Sequence, residues 1–182
     1  MHTHACFSSV LLHCQTCTPF ILSPPVFFVF LQIMLRIEKI DKESDFPRGL
    51  TREAYVDFLY KHLDRFGDPK EAINKCIDYA FFDNPMAGGF LLAAYDDDRL
   101  VGALVMNRTG MEGYIPAWVL VYVAVDAECR GKGYGRQIVE RSFDYCDGDV
   151  KLHVEYDNPA KRLYERIGFT TRYAEMRYKN TR

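Results

Sequence analysis

The feature that most constrains the fold is an unbroken apolar run, WVLVYVAV, which leads almost at once into a glycine-rich stretch, CRGKGYG. The run occupies residues 118–125 and lacks the polar alternation of a half-exposed strand, so it predicts a strand buried on both faces of a sheet. The glycines lie within residues 129–135, and helical spacing of apolar residues resumes beyond them at Ile138, Val139, Phe143 and Cys146. The chain therefore predicts strand, glycine turn and helix in direct succession.

A turn of this kind predicts a phosphate-binding site. It gathers unpaired backbone N–H groups at the positive end of a helix, and glycine lets a phosphate approach without a Cβ in the way. Lys132 is followed by Gly133, so the Walker pattern G-x-x-x-x-G-K-S/T is absent. The glycines follow a G-x-G-x-G rhythm, which does not fit the dinucleotide pattern G-x-G-x-x-G. A tight turn alone would need one glycine, so three glycines favour a bound phosphate over a purely structural turn.

The segments before the central strand predict one strand, two helices and a β-hairpin. MLRIEKI, which begins at Met34, alternates like a strand. A helix capped by Thr51 follows, and a second helix is capped by Asp68. Residues 89–95 and 100–106 are apolar runs of strand length on either side of the turn DDDR, so they predict a hairpin.

The segments after the glycine turn predict two more strands around a short helix. Residues 150–156 form the first of these strands, and residues 170–178 alternate as the last one. Between them, Asn158 can cap a short helix that Gly168 closes. The full order is a strand, two helices, three strands, a helix, a strand, a helix and a strand, which predicts a mixed α/β sheet with helices on its faces.

Length and charge narrow the class of protein. A chain of 182 residues is the size of one ordinary domain, and a formal net charge of -2 gives no basic excess for binding DNA or RNA. Charged residues are absent from residues 1–35. We therefore expect residues 1–33 to be an apolar extension outside the fold, with Met34 as the natural start, and residues 34–182 to form a single domain.

The apolar extension does not predict a membrane anchor or a metal site. It lacks the cationic start of a secretory signal. Ser23, Pro24 and Pro25 interrupt its apolar stretch, so that no uninterrupted apolar run is as long as a membrane helix needs. Cys14 and Cys17 form one C-x-x-C pair, but no second pair follows at zinc-site spacing, so no metal is expected. The three cysteines that follow residue 33 are scattered, which indicates reduced thiols in a cytoplasmic protein: Cys76, Cys129 and Cys146.

Two motifs together resemble those of the GNAT acetyltransferase superfamily. The pattern R-x-x-G-x-G, formed by Arg130, Gly133 and Gly135, is similar to the acetyl-CoA loop of that family. VAVDAECRGKGYG resembles its central strand and pyrophosphate loop, and DNPAKRLYERIGF resembles its later strand and helix. The family's element order also matches the predicted order from Met34 to the end of the chain.

The resemblance implies a fold and a co-substrate. The fold is a mixed, mostly antiparallel sheet with helices on both faces and a splay between two central parallel strands, and acetyl-CoA would lie in that splay. Backbone groups of Val123 and Val125 would pair with the pantetheine arm, and Asn158 would face the cofactor. Backbone amides along the loop would hold the pyrophosphate, namely those of Arg130, Gly131, Lys132, Gly133, Tyr134 and Gly135.

The resemblance further implies transfer of an acetyl group to a primary amine of a small molecule or peptide. An alkylamine with a pKa near ~10.4 is almost fully protonated at pH 7, so freeing its lone pair costs about 4 to 5 kcal/mol. The amine then attacks the thioester, a strand N–H such as that of Val125 can stabilise the oxyanion, and a proton helps the thiolate to leave. In the family the donor to sulfur is often a tyrosine where Tyr164 stands, and a phenol stays protonated at pH 7.

The general base is less well defined by the sequence. The central strand carries no carboxylate, where many relatives carry a glutamate. Glu112, in the turn before that strand, is the candidate base. Glu155 and His153 on the next strand are alternatives, but a solvated or structural role explains each of them at least as well. The missing glutamate also leaves open a catalytically inactive CoA-binding sensor or interaction module.

The sequence does not select the acceptor. Aromatic residues fall in segments that commonly form the acceptor wall of the family, although helix packing explains most of them equally well: Tyr55, Phe58, Phe81, Phe82 and Tyr114. An exposed final strand would permit a homodimer. No nucleic-acid or membrane partner is expected.

Overall fold

A computed structural model describes residues 35–84, 86–111 and 113–181 of the chain. The predicted extension, its Cys14 and Cys17 pair, and Met34 lie outside the described residues, so the boundary at residue 33 stays a prediction. Regular structure comprises β1 (Arg36–Ile40), α1 (Arg52–Leu63), α2 (Lys70–Ala80), β2 (Gly89–Asp96), β3 (Arg99–Arg108), β4 (Trp118–Val125), α3 (Tyr134–Phe143), β5 (Val150–Leu152) and α4 (Lys161–Ile167). Short 3-10 turns cover Glu43–Asp45, Asp64–Phe66 and Ala127–Cys129.

The five strands form one sheet in the order β1-β2-β3-β4-β5. The first three pairings are antiparallel, and β4 and β5 are parallel. This arrangement confirms the predicted mixed, mostly antiparallel sheet. Within the described residues, no helix is long and apolar enough to cross a membrane.

Of the caps predicted for helices α1 and α2, one is present in the structure and the other is not. The Thr51 side chain accepts a hydrogen bond from the Ala54 N–H at 3.2 Å, so the predicted cap of α1 is confirmed. The predicted cap of α2 is wrong, because Pro69 occupies the cap position and no side-chain cap is formed there. Asp68 is instead bonded to Tyr122 of β4.

The predicted last strand, at residues 170–178, is wrong. No strand forms in this described segment, and residues 170–181 are exposed. The strand predicted at residues 150–156 is also shorter, because β5 ends at Leu152. As a result β5 lies at the edge of the described sheet. Alternating residues alone do not make a strand when the neighbouring strand offers only three paired positions.

The core lies on both faces of the sheet. On one face, α1 and α2 pack against the sheet through buried residues such as Leu59 and Ile77. On the other face, α3 and α4 pack through Ile138 and Tyr164. Burying apolar side chains on both faces fixes the sheet between two helical layers.

Tyr55 is wholly buried in the first of these layers and does not line an acceptor wall. Its hydroxyl lies 3.0 Å from the Leu92 carbonyl oxygen and 2.8 Å from that of Leu104, and it accepts a bond from the Leu104 N–H at 3.1 Å. Of the two interpretations open for Tyr55, acceptor wall or helix packing, the structure therefore favours helix packing. Helix α1 is fixed to the β2–β3 ladder by this hydroxyl.

Candidate functional site

The parallel strands β4 and β5 separate after three paired residues. Trp118 pairs with Val150, and the last pair is Leu120 with Leu152. Strand β4 continues to Val125, while the chain after Leu152 leaves the sheet. A splay therefore opens beside the second half of β4, where the resemblance implied one.

A β-bulge lies at the point where the splay begins. In the β3–β4 ladder, Met106 pairs with Leu120 and Val105 pairs with Tyr122, so Val121 has no partner on β3. Because of this extra residue, side chains after the bulge lie on the opposite face of the sheet from those that would continue the alternation before it. Leu120 packs on the α3–α4 side of the sheet, whereas Tyr122 packs on the α1–α2 side.

The bulge also determines which backbone groups point into the splay. The Leu104 N–H and carbonyl are directed at Tyr55, on the β2 side of β3. Its partner Val123 is then in a non-hydrogen-bonded pair, so the N–H and carbonyl of Val123 point away from β3 and toward the splay. Val125 has the same parity and the same orientation. The two residues predicted to pair with a pantetheine arm thus present their backbones to the open space.

The glycine turn forms the end of this space. Gly131 and Gly133 have φ values of 82° and 84°, a left-handed conformation that side chains with a Cβ rarely adopt. Gly133 is the N-cap residue of the ten-residue helix α3. Within the described part of the chain, no acceptor is recorded for the backbone N–H groups of residues 131–135. These donors lie at the positive end of helix α3, where an anion is favoured.

Helix α1 holds the glycine turn through His62. The Ala127 N–H donates to Nδ1 of His62 at 3.2 Å, and Nη2 of Arg130 donates to the His62 carbonyl at 2.7 Å. The Arg130 Nε also lies 3.4 Å from the Val125 carbonyl. Burial lowers the pKa of His62, which keeps the imidazole neutral and able to accept the Ala127 N–H. The Arg130 side chain therefore braces the turn, and its backbone remains the part predicted to bind phosphate.

Asp126 stabilises the same turn from inside. Its carboxylate accepts the Glu128 N–H at 3.0 Å and bonds Arg99 at 2.6 Å. Burial opposes ionisation, but the Glu128 N–H and the Arg99 guanidinium lower the pKa of Asp126 below its ordinary value. Asp126 is thus a turn group and stays charged at neutral pH.

The remaining loop residues, Lys132, Tyr134 and Gly135, have different surroundings. The Tyr134 ring is buried, and its hydroxyl donates to Asp96 at 2.6 Å, so only its backbone faces the turn. A Cβ on Gly135 would lie 3.1 Å from Leu163, so glycine permits the close approach of α3 and α4. Nζ of Lys132 lies 5.7 Å from the centre of the Tyr134 ring, at the exposed rim.

Tyr164 lies on α4, on the opposite side of the sheet from Tyr122. Its ring is buried against Phe169 and the cluster that contains Leu120, the last residue paired with β5. Burial raises the pKa of its hydroxyl to about 12, so the phenol remains a proton donor at neutral pH. No hydrogen bond from this hydroxyl to another described residue is recorded, which leaves it available to a ligand.

Asn158 is engaged close to its own position. The predicted cap of α4 at Asn158 is wrong, because Ala160 occupies the cap position and no side-chain cap is formed there. Oδ1 of Asn158 instead accepts the Ala160 N–H at 2.9 Å, in the turn that leads into α4. Gly168 closes α4 in a left-handed conformation, with φ of 114°. The contact of Asn158 with a cofactor therefore stays a prediction.

The structure describes two of the three candidate bases. Glu112 lies outside the described residues, so its role stays a prediction. His153 and Glu155 follow β5 and are exposed. Among the described residues, no group of His, Cys, Asp and Glu side chains has the arrangement of a metal site.

Sequence reasoning missed two elements of this site, His62 and the pair of Asp68 with Tyr122. Tyr122 has the only hydroxyl in the WVLVYVAV strand, and this was the available signal that something polar lies opposite it. A single histidine on a helix carries no comparable signal. Its role depends on contacts with residues 127 and 130, far along the chain.

The sequence matches the model of the Acetyltransferase (GNAT) family over residues 50–169. It is 36% identical to mycothiol acetyltransferase of Actinosynnema mirum over 97 residues, and this aligned region covers 50% of this chain and 31% of that protein. It is 29% identical over 85 residues to N-alpha-acetyltransferase 30 of Schizosaccharomyces pombe, which covers 44% of this chain and 57% of that protein. The chain thus spans less than two thirds of the length of either relative.

Solved structures show the same fold. A possible acetyltransferase from Clostridium difficile 630 superposes with a TM-score of 0.57 at 18% identity, covering 81% of this chain and 99% of the other. The aminoglycoside N-acetyltransferase AAC(6')-Iy in complex with CoA gives a TM-score of 0.56 at 13% identity, covering 81% and 95%. At these identities the likeness establishes the architecture and nothing finer.

Proposed function

Because this chain belongs to the GNAT acetyltransferase family, we propose that it transfers an acetyl group from acetyl-CoA to a primary amine of a small molecule or peptide. The observation that carries the proposal is that two backbone features suited to CoA lie next to each other along the splay. The amides at residues 131–135, which donate to no described residue, suit a diphosphate. The outward backbone edge formed by Val123 and the Val125 N–H suits an extended pantetheine arm.

In this proposal the cofactor is held by backbone groups. The amides of residues 130–135 bind the pyrophosphate, and those of Val123 and Val125 bind the pantetheine. The bound thioester supplies an activated acetyl group. A backbone N–H that points into the splay stabilises the negative charge that forms on the carbonyl oxygen during attack. Because the strand is fixed by its ladder to β3, this donor needs no reorganisation.

Tyr164 is the proposed proton donor to the leaving sulfur. The nitrogen–carbon bond forms as the carbon–sulfur bond breaks, and the departing thiolate takes the phenolic proton, which solvent restores. Burial keeps Tyr164 protonated, since it raises the pKa of the hydroxyl to about 12. Its place on the α3–α4 side leaves the α1–α2 side for the acceptor. Glu112 remains the proposed base, with His153 and Glu155 as alternatives.

Relatives and structural neighbours support amines as a class but differ in what their names specify. They include mycothiol and N-alpha-acetyltransferases, as well as enzymes for aminoglycosides. We propose no narrower acceptor on their account. Free Cys76, Cys129 and Cys146 are consistent with the proposed cytoplasmic location. A homodimer likewise stays a prediction.

The test combines calorimetry with turnover. Purified protein is titrated with acetyl-CoA and CoA, and it is then incubated with acetyl-CoA, a panel of amines and a thiol reagent. We expect binding of both CoA species and amine-dependent thiol release. Binding of CoA without thiol release in the presence of any amine would favour the alternative function, a CoA-binding sensor without catalytic activity. No binding of any CoA species would overturn the proposal as a whole.

A further inference from the structure

The turn between α1 and α2 contacts β4 directly beside the splay. Oδ2 of Asp68 accepts a hydrogen bond from the Tyr122 hydroxyl at 2.7 Å. Tyr122 is the first residue after the bulge at Val121, and it precedes Val123, whose backbone faces the splay. A carboxylate is thus tied to the strand where the acetyl group would lie. It stands on the sheet face opposite Tyr164.

The geometry points to Asp68 as a specificity-determining residue that binds a cationic group of the acceptor. This inference rests on the proposed acetyl transfer and adds to it a class of acceptor, amines that carry a second positive charge. Tyr122 is the positioning residue, since its hydroxyl holds Oδ2 of Asp68, and Asp68 is itself an exposed residue of the turn.

The protonation states suit this role. Tyr122 is 7% exposed, and burial together with the adjacent Asp68 raises the pKa of its hydroxyl, so it donates to Asp68 at all physiological pH values. Asp68 itself is exposed. It can therefore receive a ligand cation without a large rearrangement of the protein.

The cation bound by Asp68 is not the attacking nitrogen. A carboxylate holds a neighbouring ammonium protonated, as Asp57 does when it raises the pKa of Lys70 in the same turn region. A protonated nitrogen has no lone pair for attack on the thioester. An acceptor with two amino groups avoids this conflict, because one group binds Asp68 while the other reaches the splay as the free amine.

The charges around the turn are compatible with a cationic ligand. Two of its basic side chains are already paired outside it, Lys70 with Asp57 at 2.7 Å and Arg65 with Asp157 at 2.9 Å. Arg177, in the exposed C-terminal segment, lies within electrostatic reach of Asp68. Arg177 is paired with Glu175, and its proximity to Asp68 supplies the competing explanation, that Asp68 only anchors that segment.

The experiment compares putrescine and spermidine with butylamine as acceptors, using the full chain and saturating acetyl-CoA. We expect the diamines to exceed butylamine in kcat/KM by about fivefold, the scale of one ion pair with an exposed carboxylate. Asp68→Asn should reduce that preference to about twofold, through KM rather than kcat, and leave CoA affinity unchanged. Tyr122→Phe should reduce it partially, because the carboxylate remains but is no longer oriented.

Matched variants separate binding from structure. Asp64→Asn removes a charge from the same turn without touching Tyr122, and it should keep the diamine preference. Arg177→Ala should keep or increase the preference. The inference is overturned if Asp68→Asn behaves like Asp64→Asn, if Arg177→Ala reproduces Asp68→Asn, or if wild-type protein acetylates butylamine as well as the diamines. Failure to bind CoA, or CoA binding with no acetylation of any amine, would instead overturn the proposed function, whereas acetylation of butylamine but of neither diamine would overturn this inference.

Discussion

The two sides of the splay are held very differently. The glycine turn at residues 126–135 is braced from within by His62, Asp126 and Arg130, of which the first two are buried. The turn between α1 and α2 is held by the Tyr122 bond to Asp68 and by the exposed ion pair of Arg65 with Asp157. The rigid side suits a diphosphate that never changes, since preorganised donors bind without an ordering cost. The lightly held side suits an acceptor that differs among relatives.

The largest effect should follow from Gly133→Val. A β-branched residue at φ of 84° is strained, and relief of that strain would turn the loop amides away from the diphosphate. Losing two charge-assisted hydrogen bonds should raise the dissociation constant of CoA by roughly several hundred-fold, as measured by calorimetry.

A control for this variant exists within the chain. Gly49→Val imposes a similar backbone strain, because Gly49 has φ of 90° and open space around a Cβ, but it lies outside the site. Both variants should lower thermal stability comparably, and only Gly133→Val should weaken CoA binding. Equal affinity in the two variants would contradict the assignment of the loop to phosphate.

The second largest effect should follow from Tyr164→Phe. Removing the phenolic proton donor should lower kcat by about 100-fold, because general acid catalysis typically contributes at least that much. CoA affinity should change little, since the ring still packs against Phe169. Steady-state kinetics with calorimetry check both values. Leaving kcat unaltered would reduce Tyr164 to a packing role.

These two residues lie in the part of the site that could be predicted from the sequence. Gly133 and Tyr164 belong to contiguous motifs, in which the chain itself carries the spacing. The bulge at Val121 could not be found this way, because it arises from the register between β3 and β4. The Asp68 contact with Tyr122 joins positions far apart in sequence, and the local pattern at Asp68 predicted only a helix cap.

The same distinction explains the wrong last strand. Alternation at residues 170–178 is a local property, whereas a strand exists only when a neighbouring strand pairs with it. Strand β5 ends at Leu152, and the segment remains exposed, with Tyr173, Met176 and Tyr178 largely in solvent. Helices α1, α3 and α4 were predicted correctly because the spacing of their apolar residues is set within a few residues, although the cap predicted for α4 at Asn158 is wrong.

A smaller effect is expected from the residue that sequence could not reveal. His62→Phe keeps the ring that packs 4.5 Å from Phe58 but removes the acceptor of the Ala127 N–H. A buried donor left unpaired costs about 1–3 kcal/mol, part of which should appear as a roughly fivefold weaker CoA affinity with kcat unchanged. His62→Asn, which keeps an acceptor near Nδ1, should restore affinity. Equal affinity in the Phe and Asn variants would contradict this bracing role.

The pH dependence of stability provides an independent test of His62. Burial lowers its pKa in the folded state, so folding favours the neutral imidazole against its ordinary value of 6.5. The stabilisation is fully present above pH 6.5 and is lost as the pH falls below it. The negative charge of Asp126 raises the pKa of His62, whereas the positive charges of Lys61, Arg99 and Arg130 lower it further. The thermal midpoint of wild type should therefore fall on acidification more steeply than that of His62→Asn. Parallel curves would show that His62 does not titrate in this range.

The smallest effect should come from Arg65→Ala, on the lightly held side. Both partners in its ion pair with Asp157 are more than 60% exposed, and such pairs contribute at most about 1 kcal/mol. The thermal midpoint should stay within about 4 °C of wild type, and the acceptor KM should change less than twofold. Arg99→Ala is the counterpart on the rigid side, where it leaves the buried carboxylate of Asp126 without its cation. Arg99→Ala should therefore weaken CoA binding measurably, whereas Arg65→Ala should not. The reverse result would show that the α1–α2 turn, rather than the glycine turn, is the more firmly organised side of the splay.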